Sequence, residues 1–447
     1  MAVIKTFKCV HPAEDKIEKV AALPYDVYNR EEALAVAKKN PLSFINIDRP
    51  ETQFETEHDM YADDVYQKAA DMLNEWIDNG TFVEEREDAF YVYELTMNGR
   101  TQTGLVACAS IDDYVNNVIK KHENTREEKE IDRIRHVDTV GAQTGPIFLA
   151  YRKNNIVSAI INKAKSKNAM FDFTSEDGIR HRVFKIDDAV DIEEIKKAFE
   201  DINDIYIADG HHRAASAVKV GLKRRNESVW YNGEEEFNYF LSVLFPDEEL
   251  MIMPYNRVLY ELNGMSEEEF LAKLKDTFEV VAKDSGVEPR EKQTYGMYLS
   301  GQWYEIRPKE KVNTVDPVKN LDVSVLQNLL FEPLLGIEDP RTDKRIDFIG
   351  GIRGIAELER LVDEQIAKVA FSMYPTSISE LFAVSDAKML MPPKSTWFEP
   401  KLRTGIFIHK IYVRLKPAII VCTRYNIDYI FRIQSIIKNR INYKSKL

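Results

Sequence analysis

Two histidines and an arginine directly behind Asp-Gly make the chemically densest stretch of this chain, Ile205-Tyr-Ile-Ala-Asp-Gly-His-His-Arg-Ala-Ala-Ser216. A short apolar run ends at Asp209. Gly210 permits a tight backbone turn, and helix-forming residues follow. The free amides of such a helix start bind anions, and the helix dipole reinforces them. Cations in a first turn oppose that dipole. Placing His211, His212 and Arg213 there implies a phosphate or carboxylate for them to meet. Asp209, at the strand end, suits a Mg2+ ion or the proton of an attacking hydroxyl.

His122-Glu123-Asn124-Thr125 is a second constellation, with Lys120, Lys121, Arg126 and Arg133 around it. Glu123 is a candidate base or Mg2+ ligand, and His122 and Thr125 are candidates for phosphate oxygens. The same residues also read as a solvated helix start, because Thr125 with Glu128 fits a capping box. A third group is Lys394-Ser395-Thr396, behind the stiff Pro392-Pro393. A lysine and two hydroxyls suit a phosphate. The alternative is a proline-stiffened loop packed on the core. It is not a Walker A loop, since no Gly-x-x-x-x-Gly precedes it. Tyr25 and Asp26, after Pro24, place a phenol and a carboxylate at a strand end, or form an ordinary turn. Arg257, in Tyr255-Asn256-Arg257, reads as a clamp on a substrate or as one half of an ion pair. With Arg133, these residues are the substrate-binding candidates. Gly350-Gly351-Ile-Arg-Gly354 is too common a pattern to carry a phosphate cradle alone. His58, His136 and His181 are isolated and read as surface or core residues.

The elements that must hold these groups mix both types. Arg30–Lys39, Tyr61–Asn79, Asn155–Lys167, Asp191–Glu200 and the stretch after Gly210 show helical spacing. Residues 118–140 are highly charged and read as helix throughout. Ser266 with Glu269 is a capped helix start, and Val323–Leu330 and Ala356–Ala367 continue the helical pattern. Ala21–Asp26 reads as strand then turn, and Ser43-Phe-Ile-Asn-Ile47 alternates like a strand. Ala89–Leu95 and Gln102–Cys108 flank Met97-Asn-Gly-Arg100, a hairpin signal. Gly145–Tyr151, Arg180–Ile186, Ile205–Ala208 and both sides of Pro246-Asp247 read as strands, and Gly296–Ile306 as a hairpin. The order is too irregular for a barrel or a doubly wound sheet, so the fold class is α+β (mixed α/β). Four regions are expected: 1–117, an N-terminal α+β region; 118–260, carrying the motif; 261–410, a C-terminal α+β region; and 411–447, a basic tail.

At 447 residues, with 44% hydrophobic and 30% charged residues, the chain has ample material for a folded core. The longest apolar runs fall far short of a membrane span, and the N-terminus has no long apolar region of a secretory signal. Three cysteines without ligand spacing fit neither a zinc site nor a disulfide framework, so a reducing cytoplasm is the expected compartment. The net charge of −13 argues against general binding of nucleic acid. From Tyr412 onward the sign reverses, with eight Lys/Arg against one acid, Asp428. This Ile-, Asn-, Lys- and Tyr-rich tail reads as translated AT-rich DNA, a read-through or frameshift extension, rather than as a nucleic-acid arm.

Asp209-Gly-His-His-Arg213 resembles the signature of the ParB/sulfiredoxin-like superfamily, whose Gly-X-X-Arg turn at a helix start holds nucleotide phosphates. The Asp-Gly-His-His-Arg form is similar to that of the superfamily's free-serine kinases. More closely, the chain resembles the bacterial family catalogued as domain of unknown function 1015, often labelled SpoOJ/ParA/ParB/repB family protein. The resemblance spans roughly residues 1–411. It rests on Pro24-Tyr-Asp26, His122-Glu-Asn-Thr125 with Asp132-Arg133, Gly145-Pro-Ile-Phe148, Ile207–Arg213, Pro254-Tyr-Asn-Arg257 and Met391–Pro400. It implies a ParB/sulfiredoxin-like core and a phosphotransferase acting on free L-serine or O-phosphoserine. The donor would be ATP, ADP or pyrophosphate, with Mg2+. Asp209, Glu123 and His211 would be catalytic. Gly210, His212, Arg213, His122, Thr125 and Lys394–Thr396 would bind the donor phosphates. The alternatives are a non-enzymatic, nucleotide-binding ParB-like regulator, or a phosphoserine phosphatase using the same pocket. A ParB-type grip on DNA needs a basic helix-turn-helix, and residues 1–411 carry no such pattern. The oligomeric state is not legible.

Overall fold

The computed structural model describes residues 1–412. The reading of the basic tail concerns residues that, beyond Tyr412, lie outside the described residues. The fold is α+β. A nine-stranded sheet forms its main layer. From one edge its strands run Ile119–Lys120, Ile205–Asp209, Ile147–Tyr151, Tyr239–Pro246, Arg100–Ser110, Phe90–Met97, Arg180–Ile186 and Phe171–Thr174. The short strand Ile4–Lys5 pairs off this path with Arg100–Ser110. Strand Ile205–Asp209 runs parallel to Ile119–Lys120 and antiparallel to Ile147–Tyr151.

The motif strand owes its position to burial on both faces. Ile205 and Ile207 pack into one core, and Tyr206 and Ala208 into the other. Its neighbour does the same, with Ile147, Leu149 and Tyr151 on one side and Phe148 and Ala150 on the other. Side chains alternate across a strand, so one continuous apolar run serves two layers. The hairpin around Asn98-Gly99 forms as expected. Both residues have positive φ, 51° and 79°, as a two-residue turn between twisted strands requires.

A six-stranded antiparallel sheet lies later in the chain, in the order Phe278–Lys283, Gln302–Pro308, Tyr295–Leu299, Val369–Ser372, Tyr255–Leu259, Ile346–Gly350. Its helix Glu267–Thr277 begins with the expected Ser266–Glu269 capping box. A four-stranded sheet ties both ends of the described chain together: Phe82–Glu84, Cys9–Pro12, Ile408–Lys410 and Ala142–Gln143. Among the described residues, no helix is long and apolar enough to cross a membrane.

Five expectations of local structure change. Ser43–Ile47 is not a strand: residues Ile45–Asp48 form a short helix. Every residue from Ser43 to Asp48 is buried, so the apparent alternation marked no exposed face. Ala21–Asp26 contributes only an isolated bridge, Ala22 with Thr404, before its turn. Residues 118–140 are not one helix. A two-residue strand and a loop precede the helix Glu127–Val140. That helix starts at Arg126 without a side-chain cap, and Thr125 Oγ1 donates instead to Glu130 Oε2 at 2.6 Å, so the Thr125–Glu128 box does not form. Val323–Leu330 is interrupted after Leu326, where a wider π turn takes over.

Candidate functional site

The motif strand ends at Asp209, and Gly210 turns the chain with φ +92° before the helix His211–Glu227. Only glycine takes this left-handed conformation without strain. A Cβ at Gly210 would also lie 3.1–3.3 Å from the Arg213 guanidinium, which folds back over the turn. Gly210→Ala is expected to destabilise the protein by about 1–2 kcal/mol and to displace Arg213. Chemical denaturation measures the first effect and titration with pyrophosphate the second. No change in either would remove the turn from the account.

The first intrahelical bond runs from the Ala214 amide to the Gly210 carbonyl at 2.9 Å. The amides of His211, His212 and Arg213 lie ahead of it, with no side chain capping them and no acid in the first turn. The helix behind is held by Ala214, Ala217 and Val218 in the core. At Gly221 a Cβ would meet the Phe237 carbonyl at 2.3 Å, so the glycine allows the helix to approach that backbone closely.

Asp209 does not stand free. Its Oδ1 accepts the Gly210 amide at 2.8 Å, and its Oδ2 accepts Lys401 Nζ at 2.9 Å. Burial alone would raise the Asp209 carboxyl, but Lys401 and Arg213 outweigh it and hold the group well below the usual carboxylate range. Burial works against the Lys401 ammonium too, and the Asp209 charge more than offsets it, so its pKa is raised. Lys401 also lies over the Trp397 ring, 5.0 Å from its centroid. Sequence reasoning missed Lys401, although the Met391–Pro400 stretch that carried the resemblance ends one residue before it.

Glu123 faces this turn from the loop ahead of the helix Glu127–Val140. Its carboxylate oxygens lie 4.0 Å from His122 Nε2 and 4.0 Å from His211 Nδ1. Among the described residues it has no Lys or Arg partner at salt-bridge distance. The two imidazoles meet edge to face, with centroids 4.5 Å apart, and the His122 amide points at His211 Nε2 over 3.5 Å. His122 is completely buried, and neither ring nitrogen makes a hydrogen bond of normal geometry. Burial pushes His122 down to about 3, with His211 adding to the shift. Burial likewise pushes His211 down to about 4, against the opposing Asp209 charge. Both rings are therefore neutral near pH 7. His212 Nε2 accepts the Arg126 amide at 2.9 Å, which fixes that nitrogen as unprotonated.

The structure also gathers Tyr25, Arg133 and Arg213 around one cavity. The Arg133 guanidinium covers the Tyr25 ring at 4.1 Å, and burial pushes the Tyr25 hydroxyl up to about 12. Exposed Asp26 acts electrostatically on His212 and Lys401. Thr125 is turned to Glu130. Lys394, Ser395 and Thr396 make no hydrogen bond or ion pair with Asp209 or His211. Lys394 Nζ lies over the Tyr255 ring, 5.4 Å from its centroid. Ser395 Oγ donates to the Pro392 carbonyl at 2.6 Å. Among the described residues Arg257 has no carboxylate at salt-bridge distance. It is buried in the six-stranded sheet and donates to the carbonyls of Tyr255 and Lys394. These residues fix the loop that precedes Trp397 and Lys401.

For Mg2+ the fit is poor as a resident site. Both Asp209 oxygens are engaged, and among the described residues no group of three or more His, Cys, Asp and Glu could hold a metal ion. Mg2+ commonly arrives on substrate phosphates with one or two carboxylates. No step below is routed through it.

Comparison with known proteins adds a family. No curated protein matches the chain. Among solved structures the chain is similar to a free serine kinase in complex with AMP, at 13% identity over 66% of this chain and 86% of that one, with a TM-score of 0.32. It is similar to a conserved hypothetical protein from Pyrococcus furiosus, at 13% identity over 69% and 97%, with a TM-score of 0.31. It is also similar to SbnI with a C-terminal truncation from Staphylococcus aureus, at 10% identity over 66% and 82%, with a TM-score of 0.35. The family model described as "Protein of unknown function (DUF1015)" matches residues 4–324. That stretch holds Tyr25–Asp26, His122–Thr125, Asp209–Arg213 and Arg257, while Lys394–Lys401 lies beyond it. By this match over well more than half its length, the chain belongs to the DUF1015 family.

Proposed function

We propose that this protein is a small-molecule phosphotransferase, acting on free L-serine or O-phosphoserine with ATP, ADP or pyrophosphate as phosphoryl donor. The observation that carries the reading is the uncapped start of the helix His211–Glu227, ringed by Lys401 and Arg213 and backed by the fully buried His122, whose ring nitrogens make no hydrogen bond. A helix start of this kind favours anionic oxygens. Fixed cations beside it stabilise charge on a transferring phosphoryl group, which is the main task in such chemistry.

In this reading the amides of His211, His212 and Arg213 hold the donor phosphates with the Lys401 ammonium. Asp209 positions Lys401 and the Gly210 turn; its strongly depressed carboxyl is a poor proton acceptor near neutral pH. Glu123 receives the proton of the acceptor hydroxyl, and the rings of His122 and His211 hold its carboxylate in place. Mg2+ enters as part of the metal–nucleotide substrate. A phosphoserine phosphatase would use the same pocket with water as acceptor.

The test is phosphorus NMR on the full chain with Mg2+, supplying L-serine with ATP, ADP or pyrophosphate, and in parallel O-phosphoserine alone. Phosphoserine forms with one of the donors. Loss of O-phosphoserine without acceptor would replace the transferase with a hydrolase. No phosphorus exchange in any tube overturns the reading, and nucleotide binding without turnover would favour the regulator.

A further inference from the structure

An acidic residue ends the helix Ile378–Asp386 in the C-terminal region. A negative charge there opposes the helix dipole, and no basic residue in the last turn offsets it. Asp386 is met instead by the main sheet. Its Oδ1 accepts the Tyr206 hydroxyl at 2.9 Å and Lys120 Nζ at 2.6 Å. Its Oδ2 lies 3.4 Å from Arg152 Nη2. One turn earlier, Phe382 stacks on the Tyr206 ring, with centroids 3.8 Å apart and planes at 17°. The Arg152 guanidinium covers the Phe382 ring at 4.9 Å. The helix thus grips the sheet through one charge and one aromatic face.

The two gripped residues are partners of each other. Tyr206 and Lys120 are in register in the parallel ladder between Ile205–Asp209 and Ile119–Lys120, so Asp386 Oδ1 bridges one cross-strand pair. The ladder is short, its other pair being Ile205 with Ile119. Strand Ile205–Asp209 is also pinned by Ile147–Tyr151 on its far side, whereas Ile119–Lys120 stands at the sheet edge. A lightly paired edge opens locally at low cost. Glu123 follows Lys120 by three residues, at most about 10 Å of chain. Any fraying of the edge strand therefore reaches Glu123 first. Asp386 itself makes no hydrogen bond or ion pair with Glu123, Asp209 or His211.

We infer that Asp386 is a positioning residue: by bridging Lys120 and Tyr206 it holds the edge strand on the motif strand, and so holds Glu123 against His211. The loop that carries Glu123 has its own reporter of this closure, the Arg126 amide, which donates to His212 Nε2 at 2.9 Å. The same helix leads into the segment that covers the site. There the Met391 amide donates to the His122 carbonyl at 2.8 Å, and Lys401 reaches Asp209. One helix end thus fixes the carboxylate proposed as base and starts the segment that delivers the lysine. The effect on turnover rests on the phosphotransferase reading; the placement of the loop is measurable without turnover.

The experiment compares the full-chain wild type with Asp386→Asn, Asp386→Glu and Lys120→Met, by amide hydrogen exchange and by transfer kinetics. Asp386→Asn keeps an acceptor for Tyr206 and removes the charge. Exchange of the amides of 121–126 rises about tenfold, while that of Ile147–Tyr151 is unchanged. The kcat falls about ten- to hundredfold, as a small misplacement of a catalytic group does, and donor KM stays within about twofold. Asp386→Glu recovers part of both losses. In the Glu123→Gln background Asp386→Asn costs no further kcat, because it acts through Glu123. A merely structural residue would lower the melting temperature, leave kcat unchanged below it, and add any loss to that of Glu123→Gln. Lys120→Met removes the other half of the bridge and gives the same pattern, which keeps the test open if Asp386→Asn fails to fold. Unchanged exchange at 121–126 in both variants, wild-type kcat in both, or full additivity with Glu123→Gln overturns the inference. Faster exchange at 121–126, with no transfer by the wild type, sinks the phosphotransferase reading alone.

Discussion

Glu123→Gln gives a folded protein that binds donor normally and transfers phosphoryl groups about 10²–10⁴-fold more slowly, the usual span for removal of a general base. The expectation follows from contrast among the site's carboxylates. Asp209 has both oxygens engaged by Lys401 and the Gly210 amide, and its carboxyl is held far below neutral pH. Among the described residues Glu123 has no ammonium or guanidinium at salt-bridge distance, and the neutral rings of His122 and His211 each lie 4.0 Å from it. It keeps a lone pair for an incoming proton. Asp209→Asn also abolishes turnover with the fold intact, but by another route. The amide cannot anchor the Lys401 ammonium, so donor affinity falls as well. Separate measurement of kcat and of donor KM distinguishes the two variants. If Glu123→Gln retained its kcat while Asp209→Asn lost only kcat, the base would be Asp209.

Acid removes the stability that two histidines kept neutral in the folded chain contribute, while the buried Asp322 carboxyl, pushed up to about 7, opposes that loss in the same range. His211 is pushed from 6.5 down to about 4 and His122 to about 3 in the folded chain. Unfolded, each returns to the ordinary value. Between those limits the unfolded chain binds more protons at these histidines, so their contribution is full above about pH 6.5 and falls as pH drops toward 4. At about 1.4 kcal/mol per pH unit, His211 alone accounts for a loss on the order of 3 kcal/mol. Asp209 acts in a lower window. Its depressed carboxyl stabilises the fold above the ordinary carboxylate value, and that contribution disappears as pH falls through its folded value. Denaturant titrations from pH 7.5 to 4.5 on the wild type and on His211→Gln test this. The variant shows the flatter dependence, since His136, His181 and His212 titrate in both proteins and drop out of the difference. Parallel curves would mean that His211 carries no such shift.

The geometry of the turn was legible in the sequence because it is local. An apolar run, Asp209, Gly210 and the helix behind it are contiguous, and steric rules for glycine and helix starts act within a few residues. The Asn98-Gly99 hairpin and the Ser266–Glu269 capping box were readable for the same reason. Where local pattern and burial disagreed, the sequence misled. Ser43–Ile47 alternates like a strand, yet total burial makes its alternation meaningless, and its end supplies Asp48 to the cavity. Separately, the placement of Lys394–Thr396 beside Tyr255 and Arg257 was not legible in the sequence.

By itself, then, the sequence determined the α+β class, the strand–turn–helix and the helix start carrying two imidazoles and an arginine, imidazoles that burial keeps neutral rather than cationic. Only the tertiary structure decided what faces that start. Lys401 reaches Asp209 across 192 positions, Glu123 and His211 meet just beyond the parallel pairing of Ile119–Lys120 with Ile205–Asp209, and the Met391 amide closes on the His122 carbonyl at 2.8 Å. Short-range periodicity sets which face of an element is apolar. Which elements become neighbours depends on burying all those faces at once, and no single segment encodes that.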